Sequence, residues 1–255
     1  MKSRLVHQIA RFLRLNRRNN FKAVSQGDLV NISNKLESSW QDESIPDLQW
    51  AVVEPQIKSL RKGTLTPEFE TLIRILQSIP EVEELDRTCL EIGCSSGYYS
   101  EVISKYFPKI DYKGCDYSTS FIAKANELYP QSSFSVEDTT ALSFPDQSFD
   151  ITISGSVLLH VPDWEKGLSE TIRVSRRYMI LHRTPVYLGK TRLFTKHAYG
   201  KEVIEWSFSK DDVIQKCVEL GFDLVREINV YQDTKISKDI NMTIQQSFLF
   251  ERRVR

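Results

Sequence analysis

The run Glu91-Ile92-Gly93-Cys94-Ser95-Ser96-Gly97 holds an acid and two glycines four residues apart, and Asp116 stands nineteen residues past the second glycine. Gly93 and Gly97 let the backbone come close to a ligand and take dihedrals that a side chain opposes, while a helix starting just beyond offers its unpaired N–H groups. That is the general logic of a nucleotide loop. A dinucleotide fingerprint, however, reads G-x-G-x-x-G and rests a pyrophosphate on the helix end. Here the spacing is G-x-x-x-G, and Glu91 places a carboxylate two residues before the first glycine. Such a charge repels a pyrophosphate and suits a ligand bearing a sulfonium and an ammonium group. A nicotinamide oxidoreductase survives as a reading only if Glu91 points away from the ligand. At Asp116 a carboxylate can accept hydrogen bonds from both hydroxyls of a ribose.

The elements that must position these groups are legible from apolar spacing. Thr88 to Ile92 is a short apolar run ending at a glycine, and apolar positions 98, 102, 103 and 106 resume with helical period, so the glycines sit on a strand-to-helix turn. Asp111 to Asp116 reads as a second strand, and Ser118 caps a helix with Phe121, Ile122, Ala125 and Leu128 on one face. Further strands are expected at Ser133 to Val136, which delivers Asp138 and Thr139, and at Phe149 to Ser154. Trp164, Leu168 and Ile172 mark a helix, and Arg177 to Leu181 a fifth strand ending at His182. Ser209 caps a helix reaching Leu220 with Gly221 past its end, and Leu224 to Asn229 and Ser247 to Arg252 supply two last strands. Upstream, Thr66-Pro67-Glu68 opens a helix over about 67 to 78, and Trp40 to Gln56 is aromatic and amide-rich.

With these motifs in order, the chain resembles the class I S-adenosylmethionine-dependent methyltransferases, in their small-molecule, methyltransferase type 11-like branch. That pattern runs E-x-G-x-G-x-G, then G-x-D, then D-A-x-x-L-P-F-x-D-x-S-F-D. The chain supplies Glu91 to Gly97, Gly114-Cys115-Asp116, and Asp138 to Asp150, and departs at Ser95, where the family usually has glycine. The resemblance implies an α/β fold: a Rossmann-like, seven-stranded, mostly parallel sheet with an antiparallel last strand, helices on both faces and a helical N-terminal cap. It implies two parts, a basic arm and helical cap over 1–84 and the methyltransferase domain over 85–255. It implies S-adenosyl-L-methionine as cofactor, with Asp116 at the ribose diol, Asp138 and Thr139 around the adenine, Glu91, Gly93 and Ser154 near the methionine moiety, and Cys94, Ser95, Gly97 and Tyr117 also among the cofactor-binding residues.

Methyl transfer needs the acceptor's nucleophile in line with the methyl–sulfonium bond, so orientation supplies most of the acceleration and few protein groups are obligatory. A hydroxyl acceptor needs a base, and His160 and His182, on loops at the expected ligand edge, are the candidates. His197 and Glu205 are further options on a segment with no assigned place. Arg183, Lys190, Arg192, Lys196 and Lys201 precede the next acid, Glu202; as a basic loop they suit an anionic or sugar-linked acceptor, or are simply solvated. O-methylation of a small-molecule or sugar/glycan acceptor is the expected activity. A second class of reading keeps the fold and drops catalysis, leaving a cofactor-binding or membrane-associated scaffold.

Composition agrees with one catalytic domain and a cap: 255 residues, 40% hydrophobic and 27% charged. With 34 basic and 34 acidic residues, net charge gives no reason to expect nucleic acid. Cys89, Cys94, Cys115 and Cys217 have no metal-ligand spacing and read as reduced, packed thiols. No run of eighteen apolar residues exists, so a cytoplasmic location is expected. Met1 to Lys22 carries seven cations and no acid, with Leu5, Ile9, Phe12 and Leu13 at helical spacing, and such an arm can rest on an anionic membrane or dock on its own domain. The oligomeric state is left open.

Overall fold

The computed structural model describes residues 21–28, 31–32, 37–234 and 242–254. The basic arm before residue 21 lies outside these residues. Six helices are described: α1 (Ile45–Arg61), α2 (Pro67–Leu76), α3 (Tyr99–Tyr106), α4 (Thr119–Leu128), α5 (Trp164–Val174) and α6 (Lys210–Glu219). The strands are β1 (Lys22–Ala23), β2 (Arg87–Ile92), β3 (Ile110–Asp116), β4 (Ser133–Val136), β5 (Phe149–Gly155), β6 (Ser175–Tyr187), β7 (Arg192–Ala198), β8 (Lys201–Ser209), β9 (Phe222–Thr234) and β10 (Met242–Arg252).

Seven of them form the central sheet in the order β4-β3-β2-β5-β6-β10-β9. β2 to β6 are parallel and β10 runs antiparallel to both of its neighbours, as expected of the last strand. Side-chain alternation assigns the two faces. On β6, Tyr178 and Ile180 join the core beneath α1, α2 and α3, while Met179 and Leu181 join the core formed with α5 and α6. Both faces are therefore covered, which is why β2 and β5 read as nearly continuous apolar runs. Ser118, Asp163 and Ser209 accept from backbone N–H groups of the first turns of α4, α5 and α6. Gly221, at φ 88°, ends α6. Thr66 stands before α2 without making a side-chain cap bond, and α2 ends at Leu76, short of the expected 78.

The largest departure from expectation concerns residues 183–209. β6 does not stop at Leu181 but continues to Tyr187, and Arg183 to Lys201 is not a solvated basic loop. Residues 192–209 fold into an antiparallel hairpin, β7–β8, joined by Tyr199-Gly200 and attached to the far end of β6 through Val186–Phe208 and Tyr187–Ser209. Both turn residues have positive φ, 51° and 80°, the conformation that a two-residue hairpin turn requires. Leu193, Phe194, Val203 and Ile204 are buried, and the interleaved cations mask that pattern in the sequence. Lys196 pairs with the buried Glu205 across the hairpin. β1 adds to β7, extending this edge. Among the described residues no helix is long and apolar enough to cross a membrane.

Candidate functional site

At the carboxyl end of β2 the chain turns into α3 through the glycine loop. The Gly93 and Cys94 N–H groups both donate to the Cys115 carbonyl, at 2.8 and 2.9 Å, tying the loop to the end of β3. Gly93 has φ 72°, and a Cβ there would lie 2.4 Å from the Val157 side chain; at Gly97, φ 75°, it would lie 2.6 Å from the Phe134 ring. Neither position accepts a side chain. Ser95 takes φ 48°, so the serine holds the left-handed conformation in which the family's glycine costs less. Its N–H donates to Asp116 Oδ2 at 2.9 Å, and the Ser118 N–H donates to Asp116 Oδ1 at 3.0 Å. Each oxygen keeps further acceptor capacity. Burial pushes the Asp116 carboxyl up to about 6, against the pull of those backbone donors. Ser96 Oγ donates to Gln49 Oε1 of α1 at 2.9 Å, so the expected cap does reach the loop.

Glu91 is buried on β2, where the Tyr112 hydroxyl donates to it. Burial holds its carboxyl at about 8, with Asp116 adding to the rise. The free protein therefore keeps Glu91 largely protonated at neutral pH, and a cationic group arriving beside it would draw it into the charged form. A Cβ on Gly155 would lie 3.7 Å from Glu91 Oε1 and 3.0 Å from the Tyr99 ring, so this glycine keeps the space beside the acid open. Ser154, also buried, sits between Ile92 and Leu181 in the strand register. A glycine cradle, a carboxylate pre-set by two N–H donors and a second, chargeable acid fit a sulfonium nucleoside.

On the far side, Asp138 is exposed and its Oδ1 accepts from the Thr140 N–H and hydroxyl, at 2.7 and 2.8 Å. Its side chain serves a turn in this structure. Thr139 Oγ1 is buried without a partner, and its side chain packs near Gly167. Tyr117 is half-buried, next to Asp116.

The two candidate histidines have different surroundings. His160 ends a short 3-10 turn (Leu158–His160), with Nδ1 2.7 Å from the Ile204 carbonyl of β8. A carbonyl only accepts, so Nδ1 carries the proton and Nε2 carries the lone pair. Burial, with Lys196 nearby, pushes this imidazole down to about 3. Trp40 lies 4.7 Å from it between ring centroids, and Tyr199 lies 5.9 Å from Trp40. Cap, loop and hairpin tip thus meet around one ring. His182 is fully buried; Nδ1 meets Ser247 Oγ at 2.7 Å, Nε2 has no partner, and burial with the Arg183 charge drives its pKa well down. His197 is exposed on β7, and Glu205 is occupied by Lys196. Sequence reasoning missed the wall made by Trp40, Tyr199 and His160, although the Tyr-Gly pair between alternating runs was a usable hairpin signal.

Residues 90–179 match the model of the family described as a methyltransferase domain. Over 90 residues, 34% of this chain and 28% of the relative, the sequence is 36% identical to a 2-methyl-6-phytyl-1,4-hydroquinone methyltransferase of Synechocystis. It is 30% identical over 100 residues, 39% of this chain and 36% of the relative, to a trans-aconitate 2-methyltransferase of Variovorax paradoxus. The chain thus spans about a third of the length of these curated relatives. Among solved structures, an S-adenosylmethionine-dependent methyltransferase of Methanosarcina mazei superimposes with TM-score 0.56 at 19% identity, over 69% of this chain and 96% of that one. A magnesium protoporphyrin IX methyltransferase of Synechocystis with bound S-adenosylhomocysteine gives 0.53 at 15% identity, over 72% and 82%.

Proposed function

We propose that this chain, which carries a class I S-adenosylmethionine-dependent methyltransferase domain on a Rossmann-like sheet, methylates an oxygen of a small-molecule acceptor. The observation that carries the reading is the Asp116 carboxylate at the end of β3, buried and held by the Ser95 and Ser118 N–H groups beside two glycines that accept no side chain. Asp116 would hold the ribose diol, Gly93 and Ser95 the loop face of the nucleoside, and Glu91 with Ser154 the cationic end.

The cofactor, S-adenosylmethionine, supplies an electrophilic methyl group on a positive sulfur. The protein's share is placement: the aromatic wall of Trp40 and Tyr199 and the hairpin cover the strand ends and exclude water from the acceptor. Asp116, Gly93 and Ser95 would hold the cofactor so that this methyl passes to the acceptor oxygen, the carbon–sulfur electron pair remaining on sulfur and S-adenosylhomocysteine being released. The acceptor's hydroxyl proton passes to His160 Nε2, whose lone pair the Ile204 carbonyl fixes by holding the proton on Nδ1. A weakly basic imidazole suffices, because a hydroxyl oxygen becomes strongly acidic as it gains a methyl group. His182, buried behind Tyr99, stands as the less accessible base. Two named relatives, a trans-aconitate and a malonyl-[acyl-carrier protein] methyltransferase, are consistent with an acceptor that carries negative charge.

Calorimetric titration with S-adenosylhomocysteine and NADH in parallel tests the assignment. Affinity for the sulfur nucleoside on the order of micromolar and none for NADH is expected. NADH binding alone would overturn it.

A further inference from the structure

Within β6, one residue past its last pairing with β5, stands Arg183, a cation with no anion beside it among the described residues. Arg183 takes φ 57°, a conformation rare for a side chain of this size. The β6–β10 register shifts there, between Gln246 and Phe248, and on the β5 side the Ser156 N–H donates to the His182 carbonyl at 2.9 Å and Ser156 Oγ to the Arg183 carbonyl at 3.0 Å. Backbone strain of this kind persists where the surroundings over-determine it, and it gathers at ligand sites. Arg183 Nε is buried without an acceptor, and among the described residues no carboxylate pairs with the guanidinium. The other arginines that form ion pairs do so at the surface, as Arg61 does with Glu101 and Arg253 with Asp223. A cation with a buried nitrogen and no anion is costly to keep unless a partner arrives.

Its surroundings are phenolic. Tyr98, just past Gly97, Tyr99, the first residue of α3, and Tyr231 on β9 couple electrostatically to the guanidinium, as does Tyr199 at the hairpin tip. Tyr199 meets Trp40 edge-on, and Trp40 packs tilted against His160. Tyr199 therefore links Arg183 to the Trp40–His160 contact. β6 lies two strands beyond β2 in the sheet, roughly 10 Å at the usual strand spacing, on the side away from Asp116. That places it past the nucleoside, where an acceptor enters.

We propose that Arg183, walled by Tyr98, Tyr99, Tyr199 and Tyr231, anchors a carboxylate of the methyl acceptor, and that the acceptor is an acid with a flat, aromatic-sized body. The inference rests on the methyltransferase reading above. Guanidinium and carboxylate match as a two-point fork, which orients the acceptor as well as holding it. The aromatic rings bury the body and, by excluding water, strengthen that pair.

The same chemistry is present in the cofactor's own amino-acid tail, and the test separates the two sources. The protein saturated with S-adenosylhomocysteine is titrated with phenylacetate and with phenylacetamide, followed by ligand-observed NMR, for wild type, Arg183→Met and Arg183→Lys. Phenylacetate is expected to bind at least tenfold more tightly than the amide to wild type. Arg183→Lys should retain part of that discrimination and Arg183→Met none, with S-adenosylhomocysteine affinity within threefold of wild type in both. Equal binding of acid and amide, or no binding of the acid up to about 50 mM, overturns the proposal, and this comparison needs wild-type protein only. It is overturned too if Arg183→Met loses more than tenfold in S-adenosylhomocysteine affinity while 5′-methylthioadenosine, which lacks the carboxylate, binds as before; the guanidinium would then serve the cofactor. Failure of wild type to bind S-adenosylhomocysteine at all removes the methyltransferase reading and the anchor with it.

Discussion

Replacing Asp116 by alanine perturbs the proposed nucleoside site at its most defined point. In the free protein the carboxylate already accepts the Ser95 and Ser118 N–H groups at 2.9 and 3.0 Å. Two further bonds from ribose hydroxyls, each to a charged acceptor, are worth about 1.5–3 kcal/mol before the freed hydroxyls rehydrate, so a loss of about 2–4 kcal/mol is expected. That is roughly 30- to 1000-fold in the dissociation constant. The substitution also strips the Ser95 N–H of its acceptor, which alone can disturb the loop. A protein–ligand cycle removes this contribution: S-adenosylhomocysteine and its 2′,3′-dideoxy analogue are titrated calorimetrically into wild type and Asp116→Ala. If the carboxylate holds the diol, the analogue loses affinity for wild type but not for the variant, with a coupling of about 2 kcal/mol or more. A coupling under about 0.5 kcal/mol would show that Asp116 only supports the loop, and the ribose assignment would be refuted.

Other consequences follow from the same geometry. Gly93→Ala combines a left-handed φ with a Cβ 2.4 Å from Val157, and should cost roughly 2–4 kcal/mol in denaturant unfolding; Val157→Ala in the same chain should recover the overlap part only. Burial raises the Glu91 carboxyl in the folded protein to about 8, against 4.5 for an ordinary glutamate. The folded protein thus holds the extra proton between these values, and stability falls as pH rises across that window. At about 1.4 kcal/mol per unit the fall approaches about 5 kcal/mol, and Glu91→Gln should flatten it in denaturation series from pH 5 to 8. His160, held near 3, should show no titration of its ring proton resonances by NMR between pH 5 and 8.

The sheet was legible because its strands are short apolar runs closed by glycine or an acid, and their ends could be placed on one edge before any coordinates. The loop was legible too, since Gly93, Gly97 and Asp116 are chemistry that tolerates few substitutes. Residues 183–209 were not. There five cations, Arg183, Lys190, Arg192, Lys196 and Lys201, interrupt the apolar positions, so a buried strand pattern is diluted, and what decides the fold is pairing with β6, a long-range contact. The burial of Glu91 against Tyr112, which makes a formal anion largely neutral, is likewise invisible one residue at a time. Asp138, placed near the adenine by resemblance, turns its carboxylate to Thr140.

The most direct measurement is transfer itself. Wild type and Asp116→Ala are incubated with methyl-labelled S-adenosylmethionine and a fractionated metabolite extract, and label is followed into the fractions alongside S-adenosylhomocysteine release. Label entering an acidic small-molecule fraction with wild type, and lost in the variant, is the predicted result. Tight S-adenosylhomocysteine binding with no label transferred to any fraction would contradict methyl transfer as the activity.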